Sequence, residues 1–323
     1  MVEGMTKSSI GSIKRGLPAG LLAVALALAG CDTADPVAAP APAPSAPAHQ
    51  PSPAPSAAGP PKPPELPFGG RSLFPERRVV AFYGSSGGAA LGVLGETPPE
   101  KVGPRLLAAA RPFKAGGKPV VPAFELIATV ANDHPGPGGL YRTRIDQADV
   151  SRYLRAVRKL KGLLIIDVQP GRADFLDEVR HYERFLREPD VGIALDPEWS
   201  MGPGEVPGRT IGHTDAATVN RVSAYVARIV ARDKLPEKLF IVHQFTRDMV
   251  RGKERLAKRP GLAMTFHVDG FGSQADKRDK YRIFTADTRW HHGFKLFYDE
   301  DEDLMTPAEA LGLRPRPDLV TYQ

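Results

Sequence analysis

Three pairs of polar residues, each two positions apart, close apolar runs of this chain. Asp167 and Gln169 follow Leu163–Ile166, Asp196 and Glu198 follow Val191–Leu195, and His267 and Asp269 end the run from Leu262. Residues two apart in an extended chain share one face, so each pair offers two polar groups to the same side. Neighbouring carboxylates perturb one another, one raising the proton affinity of the next. A carboxyl that keeps its proton near neutral pH can pass it to a leaving oxygen. Two carboxyls are what glycosidic cleavage needs. Glu198 is the candidate general acid, Asp196 the carboxylate that holds its proton or positions a substrate amide, and Asp269 an independent partner. His243 or Gln244 joins them from Leu239–Phe245, the inward residue being open, while Tyr83 and Asp299 end two further runs. Trp199 directly follows Glu198, and Phe271 comes soon after Asp269. An acidic pocket with aromatic walls suits sugars, whose ring faces stack while hydroxyls bond to carboxylates and amides.

Such convergence requires elements that bring distant segments together. Short apolar runs occur at Val79–Tyr83, Phe124–Val130, Leu163–Val168, Val191–Leu195, Leu239–Phe245, Leu262–Val268, Phe294–Tyr298 and Leu319–Tyr322. Between them, Asp149–Lys161, Ala173–Arg187 and Ala216–Arg232 carry apolar residues at helical spacing, with Asp215 and Ser273 placed as N-caps and Gly162 after a helix end. Eight strands alternating with helices over residues 69–323 predict an α/β fold, a single-domain (β/α)8 barrel of TIM type. A doubly wound open sheet is the alternative, since periodicity does not show closure.

The alternation within strands predicts where the site lies. Val191, Ile193 and Leu195 oppose Gly192, Ala194, Asp196 and Glu198; Leu164, Ile166 and Val168 oppose Leu163, Ile165, Asp167 and Gln169. Leu262, Met264, Phe266 and Val268 oppose Ala263, Thr265, His267 and Asp269. Each strand has one apolar face for packing under helices and a second that turns polar only at its C-terminal end. In a barrel that end is the mouth, where active sites sit.

The segment Ile193-Ala194-Leu195-Asp196-Pro197-Glu198-Trp199 resembles the D-x-E strand ends of barrel glycoside hydrolases: family-18 chitinases at their fourth strand, and family-25 muramidases with a related D-x-E. The resemblance implies Glu198 as acid. The chain departs from the longer chitinase motif at Val191 and Ala194, and from the muramidase pattern at Tyr83-Gly84, where an Asp would end the first strand. Blocks such as AFYGSSGGAALGVLGE, IIDVQPGRADF, ALDPEWSMGPGEVPG and FHVDGFG are similar to a family of bacterial exported proteins with glycosidase-like barrels.

The N-terminus indicates where the domain works. Lys7, Lys14 and Arg15 precede the apolar stretch Leu17–Ala29, which is too short for a membrane span. Residues 1–30 read as a signal peptide whose end, Leu28-Ala29-Gly30-Cys31, resembles the bacterial lipobox. That resemblance implies lipidation of Cys31, the only cysteine, and a cell-membrane anchor outside the cytoplasm. Residues 31–68 are Ala, Pro and Ser with little to bury, an extended tether of roughly 100 Å at about 3.1 Å per residue. The net charge of +6 and pI near 9.4 suit anionic neighbours such as wall polymers or lipid headgroups. No basic block interleaved with aromatics points to nucleic acid, and no motif points to a cofactor.

Other features carry alternatives. Gly84-Ser85-Ser86-Gly87-Gly88 fits the G-x-S-x-G elbow, but it follows the first strand, so a glycine-rich turn at the mouth is the expectation for Ser86. His213 and the pair His291-His292 lack metal-ligand spacing and are expected in helix or loop. The run Asp299–Asp303 reads as a solvated loop, and Met201–Gly212 as a pocket wall. The function expected is a membrane-anchored glycoside hydrolase acting on cell-wall or other extracellular glycan. The alternatives are a silent glycan-binding barrel, and a metal-dependent hydrolase or deacetylase using Asp167, Asp196, His243 and His267.

Overall fold

The computed structural model describes residues 62–323; the expected signal peptide, Cys31 and the expected tether up to residue 61 lie outside the described residues. Eight parallel strands form the sheet: β1 (Arg78–Gly84), β2 (Val120–Ala131), β3 (Leu163–Val168), β4 (Val191–Leu195), β5 (Lys238–His243), β6 (Leu262–Val268), β7 (His291–Leu296) and β8 (Leu319–Tyr322). Each pairs with its sequence neighbours, and β1 pairs with both β2 and β8, Val79 facing Val121 on one side and Leu319 on the other. The sheet is closed, so the open doubly wound alternative is excluded. A short strand, Arg142–Arg144, adds antiparallel to the end of β2.

Helices run outside the barrel: α1 (Pro99–Ala110), α2 (Gln147–Arg158), α3 (Phe175–His181), α4 (Glu183–Leu186), α5 (Ala216–Arg232), α6 (Gln274–Phe284) and α7 (Pro307–Gly312). Side-chain caps start several of them, with Asp146, Asp174, Asp215 and Ser273 each accepting from a first-turn N–H. Helix α5 buries Val219, Val222, Val226 and Ile229, an apolar stripe at helical spacing. Each such side chain contributes roughly 1.5–3 kcal/mol when buried. No α-helix lies between β5 and β6. There Lys253 spans the gap, its Nζ reaching Gln244 Oε1 at 2.9 Å and Phe284 O at 3.2 Å over the Phe266 ring.

Strand parity divides the core in two. Val80, Phe82, Leu164, Ile166, Val168, Ile193, Leu195, Phe240, Val242, Met264, Phe266 and Val320 pack outward under the helices. Val79, Ala81, Val121, Ala123, Leu163, Ile165, Ala194, Leu239, Ile241, Ala263 and Leu319 fill the lower barrel. Leu66, Leu73 and Phe74, with Phe68 beside them, join that inner cluster, so packing begins ahead of the expected boundary at Gly69. Glu237 fixes this segment by accepting from the N–H groups of Leu73 and Phe74 at 2.6 and 3.1 Å.

The seventh strand runs Gly293 and Lys295 inward and starts earlier than the sequence pattern suggests. His291 and His292 therefore lie on strand β7, not in helix or loop as expected. Their sequence hid this because two histidines and a glycine interrupt the apolar run. His291 bonds to Asp318 at 3.0 Å, and both residues lie away from the mouth. Inside the barrel Gly293 is obligatory for a neighbour: a Cβ there would lie 2.8 Å from His267 Cδ2.

Candidate active site

The upper half of the barrel interior is polar, as the alternation predicts. Tyr83, Glu125, Asp167, Asp196, His243, His267, Asp269 and Lys295 are all at most 6% exposed and come from seven different strands or strand ends. His243 is the inward residue of β5. Gln244 points out of the barrel, where its Oε1 accepts from Lys253, and this corrects its place among the candidate substrate-binding residues.

His243 organises the floor. Its Nδ1 lies 2.7 Å from Asp269 Oδ2 and its Nε2 lies 3.1 Å from Glu125 Oε1. Asp167 Oδ2 lies 3.2 Å from the same Nε2, outside hydrogen-bond geometry. Thr321 donates to the other Glu125 oxygen at 2.9 Å. Burial opposes charge on the imidazole, but the Asp269 charge and the surrounding carboxylates outweigh it and raise His243 well above its usual range. Burial likewise opposes ionisation of Glu125 and Asp269. The hydrogen bond and charges of the histidines bring Glu125 down to about 2, and the His243 charge and bond hold Asp269 below the ordinary carboxylate range. His267 is different: burial brings it down to about 3, and neither ring nitrogen has a partner among the described residues. His267 and Asp269 are thus not the bonded pair their spacing could have made.

Above this floor opens a pocket of about 310 Å³. Tyr83, Gln169, Asp196, Glu198, Trp199, Asp269 and Phe271 line it, joined by Lys295, Lys280, Phe245, Phe297 and Glu300. The expected substrate residues Asp167, His243 and His267 lie sealed beneath it. Asp299 is exposed outside it. The side chain of nearby Asp301 is buried instead, accepting from Lys277 Nζ at 2.8 Å and from the N–H of Phe297 at 3.0 Å, so that acidic run is not a wholly solvated loop. Met201–Gly212 contributes nothing to the pocket lining; it folds toward the β3 loop, where Arg172 donates to Glu205 O. Ser86 lies 3.5 Å from Asp149 and does not line the pocket.

Asp196 and Glu198 reach the pocket by a route the spacing argument did not anticipate. Strand β4 ends at Leu195, and Pro197 starts a 3-10 turn over Pro197–Trp199. The two carboxyls are therefore not neighbours on one pleat. Their protonation still departs from the ordinary. Burial, then the charge of Asp269, pushes Glu198 up to about 7. Burial also raises Asp196 well above its normal value, reinforced by Asp167 and Glu198.

Two members of this constellation escaped the sequence reading, Glu125 on β2 and Lys295 on β7. Each is a lone charge inside an apolar run, FELIATV and FKLF. A charge that burial would otherwise penalise was the available signal. Two overlapping groups, Glu125–His243–His267 and Asp167–Asp196–His243, hold possible ligand atoms within 4.8 Å of one another. They are the described residues that a cation would use. The imidazole of His243, with carboxylates at hydrogen-bond distance from both nitrogens, already accounts for much of this clustering.

No protein-family model and no curated protein matches the chain. Among solved structures it is similar to the Ruminococcus gnavus sialic acid aldolase, at 12% identity and a TM-score of 0.34, over 76% of this chain and 68% of that one. The barrel itself rests on the strand register around the closed sheet, β1 pairing with both β2 and β8.

Proposed function

We propose that this chain is a glycoside hydrolase in which Glu198 donates a proton to the leaving oxygen and Asp269 is the ionised partner. The observation that supports this reading is the opposed protonation of two carboxyls facing one pocket: Glu198 near 7, Asp269 held below its usual range. Carboxyls whose environments push them apart in this way are suited to acid and base roles. Asp196, its proton affinity raised by burial, lies in the same pocket and positions the substrate. Trp199, Phe271 and Phe297 place aromatic rings, and Gln169 an amide, around the same space.

The substrate proposed is cell-wall or other extracellular glycan, met by a domain tethered to the membrane through Cys31. This setting is supported by the sequence of residues 1–68. Among the described residues no helix is long and apolar enough to cross a membrane.

The test is release of reducing ends from purified cell walls, chito-oligosaccharides and common polysaccharides by the full chain, with and without a chelator. Chelator-insensitive release supports the carboxylate mechanism. Release abolished by the chelator and restored by a divalent metal favours the metal-dependent alternative. Binding without release leaves a glycan-binding barrel and overturns the catalytic reading.

A further inference from the structure

Lys295 is a charged group of the barrel interior to which the acid–base scheme gives no role beyond its favourable charge toward the ionised Asp269 and Glu125. It is 3% exposed, directed inward by β7 and level with Thr321 on β8. Among the described residues its Nζ has no hydrogen-bond acceptor and no ion-pair partner. Ring faces surround it instead, with the Tyr83 centroid at 3.4 Å and that of Phe297 at 5.2 Å. Lys277 close by shows how this protein satisfies a structural ammonium: Asp301 Oδ1 at 2.8 Å, Lys295 O at 2.9 Å and Gly270 O at 3.3 Å.

A buried ammonium is ordinarily paired. Lys295 lines the pocket, so its partner can come from a ligand. The acidic groups around it are held elsewhere or lie beyond ion-pair distance: Asp167, whose oxygens make no hydrogen bond among the described residues, sits against His243 Nε2 at 3.2 Å. Asp269 accepts from His243, and Glu125 from His243 and Thr321. Burial favours the neutral forms of Glu198 and Asp196. At the rim Lys280 adds a second ammonium, bonded among the described residues to Phe271 O at 3.2 Å.

We propose that the pocket receives a sugar carrying a carboxylate, which pairs with Lys295 on the floor while Lys280 stands at the entrance. This inference rests on the reading of the pocket as a glycan site and narrows it to acidic glycans. The carboxylate could belong to a uronate ring or to an acidic ether substituent such as a lactyl group.

The test is calorimetric binding by the full chain of three probes: oligogalacturonate, oligomers of alternating N-acetylglucosamine and N-acetylmuramic acid, and neutral chito-oligosaccharide. Wild type is expected to bind one anionic probe at least ~10-fold more tightly than the neutral one, the scale of a charge-assisted hydrogen bond. Whichever anionic probe binds identifies the source of the carboxylate. Lys295→Met is expected to remove that preference, and Lys295→Arg to retain it. Should Lys295→Met not fold, salt decides: anionic binding must weaken with ionic strength and neutral binding must not. Equal binding of neutral and anionic probes, or an anionic preference surviving in folded Lys295→Met, overturns the inference. Cleavage of neutral glycan without any anionic preference overturns it and leaves the hydrolase standing; no binding to any sugar overturns both.

Discussion

His243 Nδ1 and Asp269 Oδ2 lie 2.7 Å apart, so a carboxylate that faces the pocket is held from beneath by a histidine with no exposed surface. The contact links the floor of the barrel to its mouth. It keeps Asp269 ionised, and the charge of Asp269 in turn favours the proton on Glu198.

His243 is accordingly a positioning residue. His243→Gln removes the charge that holds Asp269 low, so the low-pH limb of kcat/KM is expected to move to higher pH, with kcat falling about 10–100-fold. A pH–rate profile separates this from a packing role, which would lower activity without moving the limb.

Glu198 sets the opposite limb. Its protonated form is the competent one, so kcat/KM should fall about tenfold per pH unit above roughly 7. Glu198→Gln should remove the falling limb. Stability follows the same sign. A carboxyl held at about 7 against an ordinary 4.5 binds more protons folded than unfolded in that interval. The folded state therefore loses stability as pH rises from 4.5 to 7, and denaturation of the Glu198→Gln variant should show a smaller loss over that window.

Much of this arrangement was legible in the sequence because strand parity is a strict rule. The outward apolar faces of β3, β4 and β6 left Asp167, Asp196, His267 and Asp269 only one direction to point. Parity fails where the strand stops, which is why Glu198 sits in a Pro197 turn instead of on the pleat of Asp196. It also could not choose between His243 and Gln244, since both follow an apolar run. Glu125 and Lys295 went unread because a single charge among large apolar residues does not disturb a hydrophobic pattern. The missing helix between β5 and β6 was equally hidden: short 3-10 turns, with Lys253 over the Phe266 ring, stand in its place.

Phe271 is 59% exposed at the rim and packs edge-to-face with Phe297, with centroids 5.8 Å apart. Phe271→Ala should leave stability within about 0.5 kcal/mol. If the ring stacks on sugar, KM should rise roughly 5–10-fold with kcat little changed. An unchanged KM would remove Phe271 from the binding surface.

The Lys277–Asp301 pair, 2.8 Å apart with both side chains at most 1% exposed, clamps the loop after β7 against α6. Asp301→Asn leaves the ammonium buried and unpaired, an expected loss of about 3–5 kcal/mol and a fall in Tm of roughly 10 °C. Adding Lys277→Met to that variant removes the stranded charge and should recover more than half of the loss. Thermal denaturation of the three variants against wild type checks both statements.

The assignment of Glu198 as general acid is tested most directly by changing the leaving group. Glu198→Gln and wild type would be compared on a glycan that wild type cleaves and on an aryl glycoside of the same sugar whose phenol leaves without a proton. The account predicts at least a ~100-fold loss on the glycan and a loss below about 10-fold on the aryl glycoside. Equal losses on both substrates, or none on either, would contradict it.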